Sequence, residues 1–200
     1  MPQTLILASA SPIRQTLLRQ AGVPFAVSPP RLDEHAIRAS LQADGASPRD
    51  IADALAEAKA RRAAQRLEDT PPVLGVDQIL AHRGAILGKP ETAAQARAQL
   101  AGLRGATHRL ITAAVIWQGD RPVWRHVGEV RLRMHDFSDS YLDAYLARNW
   151  PGIRDAVGGY KLEEEGVRLF SRIEGDYFCV LGLPLLEVLA WLRQNGVIET

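Results

Sequence analysis

Two serines and an arginine stand at the start of a predicted helix. Ser9, Ser11 and Arg14 follow an apolar run at residues 5–8, and Pro12 suits the first turn of a helix. A helix N-terminus attracts phosphate through its unpaired amide groups and its dipole, and an arginine can add a bidentate contact. An ordinary helix start capped by serine shows the same local pattern. The residues therefore indicate either a phosphate-binding loop or a capped helix.

Acidic residues provide a second candidate group. Asp77 follows the apolar residues 73–76, which predict a buried strand with Asp77 at its end. A carboxylate at such a strand end is placed to bind Mg²⁺ and to orient or deprotonate a water molecule. The alternative is that Asp77 caps the turn into Gln78. Asp33 and Glu34 offer another acidic position, although by themselves they are typical of surface charges.

Two lysines are further candidates for phosphate contacts. Lys59 lies on a helix predicted to begin after Ser47, and Lys89 lies on a loop. Each lysine, taken alone, is equally typical of a solvated side chain. The 5 histidines are scattered along the chain, which disfavours a histidine metal site.

The elements that must position these residues alternate between strands and helices. Strands are predicted at residues 5–8, 25–27, 73–76, 109–117, 123–134, 167–173 and 177–181, with a hairpin formed by 79–80 and 85–87. Helices are predicted at residues 12–21, 48–67, 91–103, 138–146 and 184–192. This mixture, with some strands joined as hairpins, predicts an α/β fold with a mixed central sheet flanked by helices.

The composition limits the classes of protein to which the chain can belong. Its 200 residues, 46% of them apolar, predict one domain spanning residues 1–200. The 24 basic and 23 acidic residues nearly cancel, which argues against nucleic acid or an anionic membrane as a partner. One cysteine fits a reducing compartment, and no apolar stretch approaches the roughly 20 residues of a membrane span. A soluble, cytoplasmic protein is expected.

Six segments, taken in order, resemble the Maf family of nucleotide pyrophosphatases. They are Ser9-Ala10-Ser11-Pro12-Ile13-Arg14, Leu32-Asp33-Glu34, Glu57-Ala58-Lys59-Ala60, Gly75-Val76-Asp77-Gln78, Leu87-Gly88-Lys89-Pro90, and Glu174-Gly175-Asp176-Tyr177 with Val180-Leu181-Gly182-Leu183-Pro184. Each segment alone is a weak signal, but the series in this order is specific and spans nearly the whole chain.

The resemblance implies a Maf/ITPase-like α/β fold with a central cleft, a divalent cation (Mg²⁺, Mn²⁺ or Co²⁺) and a homodimer. The implied reaction is hydrolysis between the α and β phosphates of a nucleoside triphosphate, which gives a nucleoside monophosphate and diphosphate. The resemblance further implies roles for residues at the matching positions. Phosphate contacts are expected from Ser9, Ser11, Arg14, Lys59 and Lys89. Asp77 is expected to act as the base, Glu34 as a second catalytic residue that helps with the metal or the water, and both carboxylates as the metal ligands.

Three positions bear on which base is bound. Members directed to uridine and thymidine usually have arginine where Ile13 stands and threonine where Gln78 stands. The late segment of this chain instead contains Glu163 and is similar to the branch that acts on 7-methyl-GTP. Methylated guanine is cationic and presents N–H donors, so a carboxylate suits it better than an amide. The alternative is that the run 163–165 is a solvated cluster of charges.

Two rival functions remain open at this point. One is a dTTP/UTP pyrophosphatase, and the other is a non-catalytic nucleotide-binding regulator of cell division. The chain also departs from the family at Arg154-Asp155-Ala156, where many members have Asp-Lys-Ala. Arg154 offers a guanidinium in place of that ammonium group, and the two are not equivalent.

Overall fold

The computed structural model describes residues 4–68 and 71–199. Its strands are β1 (Leu5–Leu7), β2 (Phe25–Val27), β3 (Val73–His82), β4 (Ala85–Leu87), β5 (Thr107–Gln118), β6 (Arg121–Met134) and β7 (Phe170–Glu174). Its helices are α1 (Pro12–Gln20), α2 (Glu34–Ala43), α3 (Pro48–Ala64), α4 (Ala93–Leu103), α5 (Asp139–Asn149), α6 (Tyr177–Val180) and α7 (Leu185–Gln194). Two short 3₁₀ turns cover Val157–Gly159 and Glu165–Leu169.

The strands form one mixed sheet. Their order is β2-β1-β3-β5-β6-β7, and β4 pairs with β3 off this path. Strand β1 runs parallel to β2 and β3, whereas the pairs β3–β4 and β6–β7 are antiparallel. The predicted α/β class with a mixed central sheet and flanking helices is therefore confirmed.

Contacts within the chain divide it into two compact units. The first contains the described residues of the ranges 1–77, 112–128 and 182–200, and the second those of 78–111 and 129–181. Strands β3, β5 and β6 contribute residues to both units. One domain over 1–200 and a central cleft stay predictions.

In the first unit, α3 packs unusually close to β3. A Cβ atom added to Gly75 would lie 2.1 Å from the carbonyl oxygen of Ala56 and 2.6 Å from the amide nitrogen of Ala60. Only a residue without a side chain permits this approach of strand and helix backbones. The face of α3 that meets the strand is lined with small residues, and it also carries Lys59. This contact brings a helix lysine beside strand β3.

In the second unit, helix α4 packs on α5 and on the 3₁₀ turn Val157–Gly159. Arg97 on α4 donates to Asp143 on α5 at 2.6 Å, which ties the exposed edges of the two helices together. The turn contains Gly158 and Gly159, both at positive φ (80° and 71°). It leads into the segment that carries Glu163.

Three local predictions were wrong. Strand β3 continues through Asp77 to His82, so Asp77 lies inside the strand rather than at its end. The predicted strand at 177–181 is instead helix α6, whose N-terminus is capped by the Asp176 side chain accepting from the amide of Cys179 at 2.6 Å. Of the predicted strand 167–173, the first residues form a 3₁₀ turn and only β7 is extended. Short apolar runs fit either conformation, so a cap decides between them.

Helix α2 was not predicted from the sequence. Asp33 caps it by accepting from the amide of Ala36 at 2.9 Å, yet none of the residues of α2 is buried. Its apolar residues Ile37 and Leu41 stand four positions apart and are half-buried, so a short helical pattern was present in the sequence and was missed. The helix begins at Glu34, one of the two predicted metal ligands.

Candidate active site

The loop between β1 and α1 has the form of an anion-binding site. Ser11 is the N-cap of α1 and Pro12 is its first residue, but the Ser11 side chain makes no capping hydrogen bond. The Ser9 hydroxyl instead accepts from the Ser11 amide at 3.3 Å. The hydroxyl of Ser11 and the first amides of α1 are thus not consumed by a side-chain cap, which favours the phosphate-binding interpretation over a capped helix start.

Arg14 connects this loop to two other parts of the first unit. Its Nη1 group donates to the Ser9 hydroxyl at 3.0 Å and to the Val76 carbonyl at 3.1 Å, and its Nε group donates to the Gly182 carbonyl at 2.7 Å. These contacts use three of the five N–H donors of a guanidinium and leave the Nη2 donors for a ligand. Arg14 therefore holds Ser9 in place and still offers charge to a phosphate.

Burial lowers the pKa of the Arg14 guanidinium, and the nearby negative charges of Asp77 and Glu34 raise it in opposition. A guanidinium nevertheless stays protonated in proteins. The cation of Arg14 thus lies in the field of both carboxylates, which makes the serine loop and the acidic residues parts of one electrostatic site.

Lys59 joins the two predicted metal ligands. Its Nζ atom lies 2.6 Å from Asp77 Oδ1 and 2.9 Å from Glu34 Oε2. Asp77 and Lys59 are 4% and 8% exposed, whereas the side chain of Glu34 is 44% exposed. Helix α3 provides the lysine, β3 the buried aspartate and the start of α2 the outer glutamate. The two predicted metal ligands, Asp77 and Glu34, therefore lie together in the first unit with Lys59, and the expected phosphate contact of Lys59 stays a prediction.

One atom of this cluster lacks a partner. Asp77 Oδ2 is buried and makes no hydrogen bond with the described residues. A buried carboxylate oxygen without a donor is costly unless a ligand, an ion or water binds it. Asp77 Oδ2 and Glu34 Oε1, the two oxygens that Lys59 does not contact, fit a hard divalent cation, which binds oxygen ligands.

The described residues contain no group of three or more His, Cys, Asp or Glu side chains able to hold a metal. The two carboxylates of Asp77 and Glu34 are enough for an ion such as Mg²⁺, which takes water and substrate phosphates as its other ligands.

Lys89 and Gln78 belong to the second unit. Lys89 is exposed on the loop after β4, and Gln99 of α4 anchors this loop by donating to the Gly88 carbonyl at 3.1 Å. The side-chain amide of Gln78 donates to the carbonyls of Cys179 and Val180 at 2.9 and 3.1 Å. Gln78 thus binds the backbone of α6. Its expected contribution to base recognition stays a prediction, as does the phosphate contact of Lys89.

The three successive glutamates differ sharply in their contacts. Glu165 accepts from Arg148 at 2.6 Å and from Asn149 at 2.9 Å, and these bonds lower the pKa of its carboxyl to about 2. Glu164 pairs with Lys161 at 3.1 Å. Glu163 is exposed and makes no hydrogen bond or ion pair with the rest of the described chain. Of the three, Glu163 is the carboxylate that remains for a ligand.

A comparison of the sequence with known protein families finds a match over most of the chain. The sequence profile of the family described as "Maf-like protein" matches residues 4–195. The chain belongs to this Maf family. The resemblance found in the sequence motifs is therefore confirmed across nearly the whole length.

Three curated relatives illustrate the named activities within the Maf family. The nucleoside triphosphate pyrophosphatase of Roseobacter denitrificans is 60% identical over 98% of this chain and 98% of its own length. A protein of the same name from Ruegeria pomeroyi is 57% identical over 100% of both chains. The 7-methyl-GTP pyrophosphatase of Rhizobium meliloti is 43% identical, again over 100% of both chains.

Several contacts in this Maf family member were not predicted from the sequence. The backbone carbonyls of Val76 and Gly182, which hold Arg14, have no signature in residue type. His108 was set aside as one of the scattered histidines, yet it is buried and bonds the hydroxyl of Tyr160 at 2.7 Å. The signal that could have found it is a histidine at an inward-facing position of a strand whose neighbours at that face are apolar. At Arg154, the departure from the family pattern, the side chain is exposed.

No helix in the described part of the chain is long and apolar enough to cross a membrane.

Proposed function

We propose that this chain is a metal-dependent nucleoside triphosphate pyrophosphatase that acts on 7-methyl-GTP or other modified nucleotides. It hydrolyses the bond between the α and β phosphates and releases a nucleoside monophosphate and diphosphate. The observation that carries the proposal is the buried Asp77 carboxylate, fixed by Lys59 at 2.6 Å and with Oδ2 open, in the field of the Arg14 cation.

The proposed chemistry follows from this arrangement. Lys59 holds Oδ1 of Asp77, so Oδ2 remains for both other roles: one of its lone pairs would bind the divalent cation, and the other accepts a hydrogen bond, and then the proton, from the attacking water. The water oxygen forms a bond to the α phosphorus, and the bond from this phosphorus to the bridging oxygen breaks. Diphosphate leaves with the bonding electrons. A divalent cation, when bound, neutralises charge on the phosphates and favours this departure.

Ser9, Ser11 and Arg14 serve the leaving group in this scheme. Phosphoryl transfer depends mainly on positioning and on charge stabilisation, and a helix N-terminus with an arginine supplies both. Arg14 is itself fixed by three hydrogen bonds, so little reorganisation is needed when phosphate binds. Lys89 is proposed to add a further phosphate contact.

Base preference is proposed to reside in Glu163, with Ile13 and Gln78. Among the three glutamates, Glu163 alone has no protein partner within the described residues, so its carboxylate can accept from the N–H donors of a cationic methylated guanine. The name of the Rhizobium meliloti relative supports this choice. A cytoplasmic location and a homodimer stay predictions, and light scattering of the purified chain tests the latter.

A substrate panel tests the proposal. Diphosphate release is measured with 7-methyl-GTP, GTP, UTP and dTTP, each with Mg²⁺, Mn²⁺ and Co²⁺. We expect the highest kcat/KM with 7-methyl-GTP and no release without a divalent ion. Robust turnover of UTP with none of 7-methyl-GTP would reverse the base assignment. Tight nucleotide binding without metal-stimulated diphosphate release would instead identify a non-catalytic regulator.

A paired substitution tests the role of Glu163. Glu163→Gln should lower kcat/KM for 7-methyl-GTP more than for UTP, because an amide is a weaker acceptor than a carboxylate. Glu164→Gln removes the same charge one residue away, where the carboxylate already pairs with Lys161, and serves as the control. Equal effects of the two variants on both substrates would show that Glu163 does not read the base.

A further inference from the structure

The segment that carries Glu163 is flanked by two aromatic residues whose rings contact each other. Tyr160 precedes residues 161–169 and Phe170 follows them, and the centroids of the two rings lie 4.8 Å apart in an edge-on arrangement. Both side chains are buried. The ends of the segment are therefore held together by a ring contact, while Glu163 between them is exposed.

His108 of β5 contacts both of these rings. Its ring centroid lies 5.6 Å from that of Tyr160 and 5.9 Å from that of Phe170, and its Nε2 atom lies 2.7 Å from the Tyr160 hydroxyl. A ring contact alone permits sliding and rotation, whereas a buried hydrogen bond has a defined direction and length. The bond to His108 thus fixes where Tyr160, the residue just before the segment, lies against the sheet.

The turn before Tyr160 leaves little room for the Tyr160 ring to move. Gly158 has a positive φ of 80°, and a Cβ atom at this position would lie 2.5 Å from Leu80 Cδ1 and 2.8 Å from Tyr160 Cε1. The tyrosine ring therefore lies against the turn, which is itself packed against Leu80 of β3. A shift of the Tyr160 ring must move either the turn or the segment that follows it.

The histidine at this buried position is costly for stability. His108 is 1% exposed, and its Nδ1 atom has no hydrogen-bond partner among the described residues. A buried polar atom without a partner destabilises a protein, and an apolar side chain of similar shape would avoid this cost. Stability alone therefore does not account for a histidine at position 108 beside Tyr160.

We propose that the His108–Tyr160 hydrogen bond positions residues 161–169 and thereby sets how strongly the enzyme prefers one base over another. The inference rests on the proposed function, in which Glu163 of this segment contacts the base. His108 and Tyr160 are positioning residues in this scheme, because both are buried and neither is required to touch the substrate.

The test removes only the hydroxyl group. Tyr160→Phe keeps the ring and its contact with Phe170 but loses the bond to His108. The control is Tyr141→Phe, which deletes a hydroxyl that has no hydrogen-bond partner within the described residues. For each variant, kcat/KM is measured with 7-methyl-GTP and with UTP, and the ratio of the two values is compared with that of the unmodified enzyme.

The ratio separates positioning from a purely structural role. A loss of stability lowers the concentration of active enzyme equally for both substrates and leaves the ratio unchanged. We expect Tyr160→Phe to lower the preference about five- to tenfold, the discrimination that a hydrogen bond of ordinary strength can supply. Tyr141→Phe should leave it unchanged. An unaltered ratio in Tyr160→Phe would overturn the inference, even if the variant is less stable.

Glu163→Gln, alone and combined with Tyr160→Phe, separates this inference from the proposed function. If Glu163→Gln leaves the ratio unchanged, the proposed base contact is wrong, whatever Tyr160→Phe does. If Glu163→Gln alters the ratio and Tyr160→Phe does not, only the positioning role is wrong. A double variant with the same ratio as Glu163→Gln supports positioning through Glu163, and independent, additive effects contradict it.

Discussion

The Nζ atom of Lys59 lies 2.6 Å from Oδ1 of Asp77, and both side chains are almost completely buried. Helix α3 and strand β3 bring these residues together across 18 positions of sequence, through a backbone approach that Gly75 permits. Because Lys59 contacts Oδ1, the other carboxylate oxygen, Oδ2, remains available to bind a ligand. This pairing underlies the first three predictions.

Replacing Asp77 with asparagine should remove nearly all turnover and leave the fold intact. Asparagine has almost the same size and can still accept from Lys59 through its carbonyl oxygen, but it cannot take a proton from water. Loss of a general base lowers rates by about 100- to 10,000-fold. Diphosphate release measures the first effect and thermal unfolding the second. A near-normal rate would show that Asp77 is not the base.

Lys59→Met should destabilise the protein by about 3 kcal/mol, because it leaves a buried carboxylate without its partner. Urea unfolding gives the free energy of unfolding. Lys161→Met is the matched control, since its ion pair with Glu164 at 3.1 Å lies nearer the surface and such pairs contribute less than about 1 kcal/mol. If Lys59→Met and Lys161→Met lower the free energy of unfolding equally, the buried pair contributes no more than the exposed one.

Gly75→Ala should separate α3 from β3. A methyl group 2.1 Å from the Ala56 carbonyl oxygen must displace backbone, so we expect a loss of about 3 kcal/mol of stability together with loss of activity. Gly102→Ala on α4 is the control. A Cβ atom there meets nothing within 4 Å, and alanine in a helix should add up to about 1 kcal/mol. Circular dichroism during heating distinguishes the two variants, and an unchanged melting temperature for Gly75→Ala would refute the close contact.

Stability should fall as the pH falls from about 6.5 to 4, because burial lowers the pKa of His108 to about 4 from its ordinary value of 6.5. Between these values the unfolded chain binds a proton at His108 and the folded chain does not, so protonation favours unfolding. The contribution is about 3 kcal/mol and is complete below the folded pKa. Urea unfolding at several pH values measures it.

His108→Phe is the matching variant for this pH dependence, since phenylalanine cannot titrate. The difference between the two proteins should grow in favour of the variant as the pH falls from 6.5 to 4. The carboxyl group of Glu165 affects stability at a lower pH than His108 does. Its pKa is held near 2 by Arg148 and Asn149, so the stability it adds is lost only as the pH falls below about 4.5. Parallel pH profiles for the variant and the unmodified protein would contradict the assignment to His108.

Local structure was predicted correctly at two helices that begin after a capping serine. Ser47 before Pro48, and Ser138 before α5, predicted two helix starts, and both cap as expected. Where an apolar run was short, as at 177–180, the sequence could not distinguish a strand from the helix that Asp176 caps. Helix α2 is capped by Asp33 and carries Ile37 and Leu41 at helical spacing, signals that were present in the sequence but overlooked.

The sequence by itself determined the chemical inventory of the candidate site and the family. Ser9, Arg14, Glu34, Lys59 and Asp77 were named from residue type, order and resemblance, because phosphate and metal binding require particular functional groups. Only the tertiary structure decided which groups are engaged. It places Lys59 against Asp77, and it pairs Glu165 and Glu164 with neighbouring cations while Glu163 has no protein partner in the described chain. These outcomes depend on distances between residues remote in sequence, which local propensity and spacing do not encode.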